Sequence, residues 1–211
     1  MMADYQSFDG HGVDVAVNRA DSLDKECLAY IADHPGCRVL DLGSGAGGQS
    51  VRMAGAGAHV TAIDQFDFSD TFAEFQKGNL RFILGDMANL EELLNGQKFD
   101  VAICQRTIHY LRYDTAVASL SALRSLVSGK LYISVTGTGS LVGDAYSATD
   151  TPLEDRFAEL SALGKEMFQI NELVCLYNEE EFKEMLTQAG WQVDSCRMTA
   201  FGNIQAICSM T

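Results

Sequence analysis

Residues 37–50 read CRVLDLGSGAGGQS. Val39 and Leu40 make a short apolar run that reads as a buried strand, and Asp41 closes it with an acid. A turn follows that carries Gly43, Gly45, Gly47 and Gly48, and Gln49 to Ala54 can start a helix. Strand, glycine turn and helix together form a cradle for a nucleotide-like ligand. Glycine lets the backbone bend tightly and approach a ligand closely, and a helix N-terminus offers free N–H groups.

Downstream, apolar runs alternate with helical patterns. AHVTAID reads as a strand ending in Asp64, and Ser69 is placed to cap a short helix carrying Phe72 and Phe75. LRFIL is a third strand, followed by Gly85 and Asp86 and a helical turn with Leu90, Leu93 and Leu94. FDVAIC is a fourth strand. Asp114 opens a helix with Val117, Leu120, Leu123 and Leu126 on one face, Ser128 and Gly129 stop it, and KLYISV is a fifth strand. This alternation predicts a doubly wound, mostly parallel α/β sheet. Beyond it, residues 136–150 are rich in Gly, Ser and Thr. A helix is expected from about Pro152 to Phe168, burying Phe157 and Leu160, with Leu163 as a further candidate. Leu173 to Tyr177 is a short apolar run, and Asn178 caps a helix ending at Ala189 and Gly190. WQVDSCRMT and NIQAICSM, joined through Gly202 and Asn203, read as a closing antiparallel hairpin. Upstream, Leu23, Cys27, Leu28 and Ile31 share a helix face, with Asp21 or Ser22 as N-cap. Residues 1–20 are polar and irregular and read as a mobile arm or lid.

Bulk properties narrow the partners. The 211 residues suit one domain with a full core, and 47% of them are apolar. The net charge is −14, with only 15 Lys and Arg, dispersed along the chain. A surface that neutralises phosphates needs clustered cations, so nucleic acid and anionic membranes are not expected partners. None of the six cysteines forms a C-x-x-C pair, so no metal site is expected, and free thiols inside apolar runs fit a cytoplasmic setting. MMADYQSFDG has no apolar signal core, and no stretch is long enough to span a bilayer.

In an open α/β sheet the ligand sits beyond the carboxyl ends of the strands, where strand order reverses. The polar residues at those ends are Asp41, Asp64, Asp86 and the run Cys104 to His109. Asp64 lies about 20 residues past the first glycine, where an acid accepts hydrogen bonds from ribose hydroxyls. Gly43, Gly45 and Gly48 also satisfy G-x-G-x-x-G, a pattern that by itself suits a nicotinamide dinucleotide equally well. Three features point elsewhere: Asp41 two positions before the first glycine, an acid better matched to an amino group than to a pyrophosphate; Gly85-Asp86-Met87, suited to an adenine amino group; and the antiparallel hairpin.

With VLDLGSGAG, AID, GDM and FDVAICQRTIHYL in this order, the chain from about Asp21 to its end resembles the class I S-adenosylmethionine-dependent methyltransferases, of the small-molecule type. The resemblance implies one Rossmann-like domain over 1–211, with a seven-stranded sheet whose last strand is inserted antiparallel. It implies S-adenosyl-L-methionine as cofactor. Asp41, Gly43, Ser44 and Gly45 would hold its methionine end, Asp64 and Gln65 the ribose, Asp86 and Met87 the adenine, and Gln105 would lie beside the methionine or the methyl group. Methylation of exocyclic amines in DNA typically uses Asn or Asp followed by two prolines and an aromatic, and Pro35 and Pro152 are the only prolines here. Cytosine C5 methylation uses Pro-Cys, and Ile103 precedes Cys104.

On the acceptor side, His109 is the candidate general base. Arg106 and Tyr110 should rim the pocket, and Arg106 or Arg19 is placed to pair with a carboxylate of cofactor or substrate. His11 in the arm, Tyr5, Tyr146 and Phe168 complete the candidates. The arm 1–20 and the insert 137–175 should select the acceptor. The resemblance implies methyl transfer to O, N, S or C, and the chain's acidity and single insert favour a small-molecule acceptor. A protein or peptide methyltransferase, a non-catalytic cofactor-binding partner and a nicotinamide-dependent dehydrogenase stay as alternatives, and the oligomeric state is not legible.

Overall fold

The computed structural model describes residues 10–75 and 78–210. Tyr5, named above as a pocket aromatic, lies outside them. Seven strands are present: β1 Arg38–Leu42, β2 His59–Asp64, β3 Leu80–Leu84, β4 Phe99–Gln105, β5 Val127–Thr136, β6 Gln192–Met198 and β7 Asn203–Ser209. They form one sheet in the order β3-β2-β1-β4-β5-β7-β6. The first five are parallel, and β7 runs antiparallel to both β5 and β6. The doubly wound, seven-stranded α/β sheet with its terminal hairpin is therefore as expected. Strand order reverses between β1 and β4, which brings the ends of β1, β2 and β4 together at one rim.

Eight helices accompany the sheet in the described residues: α1 Ser22–Asp33, α2 Gly48–Gly55, α3 Ser69–Glu74, α4 Leu90–Leu94, α5 Tyr113–Leu126, α6 Leu141–Asp144, α7 Ala162–Phe168 and α8 Glu179–Gln188. Alternate strand residues feed opposite faces. Val39, Val101, Ile103 and Tyr132 pack with Leu23, Cys27 and Ile31 of α1 and Met53 of α2. Leu40, Ala102, Cys104, Leu131 and Ile133 pack with α4, α5 and α8 on the other face. Fully burying one such Leu or Ile stabilises the fold by about 1.5–3 kcal/mol, so the two faces bind the helices firmly. Asp21 caps α1: its Oδ1 accepts the Asp24 N–H at 3.0 Å while Asp24 Oδ2 accepts the Asp21 N–H at 2.8 Å.

Three local expectations are corrected. Ser69 is the first residue of α3 and not its cap; the Asp67 carboxylate accepts the Ser69 N–H at 2.9 Å. α5 passes into β5 at Val127 without a loop, because Val127 is buried against the core and Gly129 lies against the Asp100 carbonyl, where a side chain has no room. The helix expected from Pro152 to Phe168 exists only as α7. Leu153–Asp155 is a 3-10 turn, Ala158 bridges Val174 and Leu160 bridges Tyr146. The apolar spacing of Phe157 and Leu160 suits a helix, but this segment is extended and tied to its neighbours; Leu163 is largely exposed.

The insert is fastened by one buried group. Arg156 Nη1 and Nη2 donate to Glu181 Oε2 and Oε1 at 2.7 and 2.8 Å, Nε donates to the Thr151 carbonyl at 2.7 Å, and Nη1 reaches the Leu176 carbonyl at 3.2 Å. Glu181 is also the N3 residue of the capping box that starts α8 on Asn178. One ion pair thus joins the insert to a helix of the main core.

Candidate functional site

The ends of β1, β2 and β4 open into a cavity of about 510 Å³. The glycine turn between β1 and α2 forms its floor. Gly43 has φ +68°, and a Cβ there would stand 2.2 Å from Cγ2 of Thr107. Gly45 has φ +52°, and a Cβ there would stand 2.5 Å from the Asp14 carboxylate. Both positions require glycine for conformation and for space.

Around this floor stand carboxylates. Asp64 ends β2, and its Oδ2 accepts the Gly45 N–H at 2.8 Å while Oδ1 accepts the Phe66 N–H at 3.0 Å. Burial raises its proton affinity, against the pull of those two N–H bonds. Asp41 accepts the Ser50 hydroxyl at 2.5 Å, and burial pushes it up to about 7, with Asp24, Asp14 and Asp64 adding like charge. Asp24 is pushed up to about 6, chiefly by burial. Asp24, on α1, lies outside the lining; Asp41 and Asp64, which line the cavity, suit a ligand that carries positive charge, because a cation between them offsets both the desolvation and the mutual repulsion.

Most of the sequence-predicted residues do line this cavity: Asp41, Gly43, Ser44, Gly45, Asp64, Gln65, Asp86, Met87, Gln105, Arg106, His109, Tyr110, His11 and Phe168. Asp86 caps a 3-10 turn by accepting the Ala88 N–H at 2.9 Å. The Gln105 amide donates to Asp24 of α1, and its Oε1 accepts the Ser134 hydroxyl at 3.2 Å.

Two residues are not brought to the cavity. Arg19 is exposed and outside the lining; Arg52 Nη2 donates to the Ala16 carbonyl at 2.7 Å and to the Arg19 carbonyl at 3.4 Å. Tyr146 is buried in a satellite core with Leu160, Ile170, Val174 and Leu176, its hydroxyl facing the Arg156 and Val174 carbonyls.

On the acceptor side, His109 is 2% exposed and packs on the Tyr110 ring at 4.5 Å between centroids. Burial, helped by the charge of Arg106, pushes its imidazole down to about 3, so it is neutral at physiological pH. Tyr110 donates to the His11 carbonyl at 2.7 Å, and the His11 ring meets Gln65 at 3.0 Å. The Gly12 N–H donates to the Gln169 carbonyl and the Asn171 N–H to the Gly10 carbonyl, so arm and insert pair with each other across the mouth.

Sequence reasoning missed Asp14 and Thr107. Asp14 Oδ2 accepts the Ala46 N–H of the glycine turn at 3.2 Å, and Thr107 stands over Gly43. Neither carries a local signal, since each acts on a segment more than thirty residues away. Among the described residues no group of three or more His, Cys, Asp or Glu side chains is placed to hold a metal ion, and no helix is long and apolar enough to cross a membrane.

The fold has known counterparts. The chain is similar to the 1,6-didemethyltoxoflavin-N1-methyltransferase of Burkholderia thailandensis, solved with its namesake compound and S-adenosylhomocysteine, at 20% identity and TM-score 0.66 over 94% of this chain and 81% of that one. It is similar to the magnesium protoporphyrin IX methyltransferase of Synechocystis PCC 6803 with bound S-adenosylhomocysteine, at 21% identity and TM-score 0.63 over 89% and 82%. It also matches a protein of Rhodobacter sphaeroides named a putative Zn-dependent alcohol dehydrogenase, at 15% identity and TM-score 0.70 over 93% of each chain. At such identities the likeness establishes the fold alone. A comparison with curated proteins returned no match. The family model described as "Methyltransferase domain" matches residues 33–190, most of the chain and all of the sheet up to β5, and the chain therefore belongs to the methyltransferase-domain family.

Proposed function

We propose that the protein transfers a methyl group from S-adenosyl-L-methionine to a small-molecule acceptor. The observation that carries this reading is the glycine turn, bare of Cβ atoms at Gly43 and Gly45 and ringed by Asp41 and Asp64, inside a chain of the methyltransferase-domain family. The cofactor brings an ammonium and a sulfonium, and the acid-rich floor is matched to both. Asp41 and the turn residues Gly43, Ser44 and Gly45 would take the methionine end, Asp64 and Gln65 the ribose, and Asp86 with Met87 the adenine. When bound, the cofactor supplies an activated methyl group, displaced in line as the acceptor atom bonds to carbon and the carbon–sulfur bond releases its electron pair to sulfur.

The chain's own residues then orient and enclose. Phe157, Phe168, Ile170 and Tyr110 give the acceptor lobe apolar walls, and the paired arm and insert cover it. Holding acceptor and methyl in line in a site closed to water supplies most of the acceleration. A neutral His109 is available to orient the acceptor or to take up a proton released as the bond forms. Arm and insert serve as the specificity-bearing lid of a single domain in the cytoplasm. The small-molecule relatives and the absence of clustered cations support this acceptor class over nucleic acid; a protein acceptor ranks second.

Calorimetric titration with S-adenosylhomocysteine and with NADH tests the reading. Micromolar binding of the adenosyl compound without NADH binding is the expected result, and NADH binding alone would overturn it.

A further inference from the structure

Arg106 is the one Arg or Lys among the described residues that line the cavity. It sits at φ +52°, a left-handed backbone held by its N–H donating to the Ser134 carbonyl at 2.8 Å. An arginine costs about 1 kcal/mol or more there, and such strain clusters at functional sites. Its Nε is buried and has no hydrogen-bond partner, and no carboxylate forms an ion pair with it in the described residues. Three acids act on it through space, and each is already engaged. Asp24 accepts from the Asp21 N–H and from Gln105, Asp21 caps α1 and accepts from Gln205, and Asp14 accepts from the Ala16 and Ala46 N–H groups. An N–H held out of water without a partner is costly, and half-buried Arg106 lines the cavity, so the missing partner of its Nε belongs to a ligand.

The geometry points to an acceptor that carries an oxyanion, a carboxylate or its equivalent, seated on the Arg106 guanidinium with its apolar body among Tyr110, Phe157 and Phe168. This rests on the methyltransferase reading above and specifies its substrate class. The neighbours agree. Arg106 lines the same cavity as His109 and Tyr110, three and four residues further along the chain. Glu172, which acts on the Tyr110 phenol, is the acid that opposes an anion there.

The cofactor's own carboxylate is the rival source of the oxyanion, and one experiment separates them. Benzoate and benzamide are titrated by calorimetry into the wild-type protein saturated with S-adenosylhomocysteine, and into Arg106→Gly and Arg106→Lys. Glycine accepts φ +52° without strain, so Arg106→Gly removes the cation while favouring the same backbone. The expected result is that benzoate binds the wild type at least about tenfold tighter than benzamide, that Arg106→Gly abolishes this preference and Arg106→Lys keeps part of it. S-adenosylhomocysteine affinity changes less than about threefold in either variant, well under the tenfold or more that loss of a charge-assisted contact produces. Benzamide binding as well as benzoate, or no benzoate binding, overturns the assignment. So does an Arg106→Gly protein that loses S-adenosylhomocysteine and keeps its benzoate preference, which would give Arg106 to the cofactor's carboxylate. Failure of the wild type to bind S-adenosylhomocysteine at all instead sinks the methyltransferase reading itself.

Discussion

The glycine turn and the insert wall the same cavity, and they are built by different means. The turn, residues 43–48, is shaped by its neighbours in sequence, with a strand before, a helix after and positive φ angles that glycine adopts freely, and is then pinned by Asp64 on the Gly45 N–H and Asp14 on the Ala46 N–H. The insert, residues 137–175, contains only two short helices, a 3-10 turn and isolated bridges. It is held by distant partners: Arg156 on Glu181, Tyr146 on Val174, and the arm on Ile170 and Asn171. Local rules therefore shape the half proposed to take the cofactor, and long-range contacts build the half proposed to select the acceptor.

The largest expected break in this contrast is at the insert's anchor. Glu181→Ala leaves the buried Arg156 guanidinium unpaired and should cost about 3–5 kcal/mol. Urea unfolding measures it, and Arg156→Leu/Glu181→Leu together should recover much of the loss. A cost below about 1 kcal/mol would place the pair among ordinary surface bridges and sink the anchor.

Asp64→Ala tests the other half. Its carboxylate orders the Gly45 and Phe66 N–H groups and is the candidate ribose acceptor, so S-adenosylhomocysteine should bind about thirty- to a hundredfold more weakly by calorimetry. Near-normal affinity would count against the pocket described.

Gly43→Ala should destabilise by about 1–3 kcal/mol, through strain at φ +68° and the clash with Thr107. Adding Thr107→Gly should relieve the clash and leave the backbone strain. Thermal unfolding of the single and double variants separates the two.

Protonation sharpens the comparison further. The raised Asp41 favours its neutral form in the folded, ligand-free protein. Its contribution to stability is present below its ordinary value of 3.8 and is lost as pH rises through about 7. His109 works the other way: its stabilising contribution is present above 6.5 and is lost as pH falls toward about 3. A cationic ligand prefers ionised Asp41, so affinity for S-adenosylmethionine should fall by up to about tenfold per pH unit below about 7. Asp41→Asn should flatten that profile; an unchanged slope assigns it to another group.

The smallest effect is at the seam between arm and insert. Tyr110→Phe removes the bond to the His11 carbonyl, worth about 1 kcal/mol, and should speed amide exchange around residues 10–12 about fivefold. No change there would show that the bridge between His11 and Ile170 holds the arm without the phenol.

How much was legible follows the same division. The strand periodicity, the cap Asn178, the choice of Asp21 or Ser22 as the α1 cap and the terminal hairpin were readable, because each depends on residues a few positions apart, and the structure selects Asp21. The helix expected over 152–168 failed because Arg156 and Ala158 answer to Glu181 and Val174, and a local apolar spacing carries no trace of such partners. Tyr146 and Phe168 looked alike as aromatics of the insert; packing sent the first into a satellite core and the second to the cavity wall. Arg106 and Arg19 looked alike as candidate cations. Only the tertiary structure left the Nε of one buried without a partner among the described residues and the other in solvent, since burial is decided by what the rest of the chain covers. By itself the sequence determined the sheet, the cradle and the family. The cavity wall beyond the cradle, Arg106 within it and the neutral His109 were decided by tertiary packing, because charge state and reach depend on neighbours that are distant along the chain.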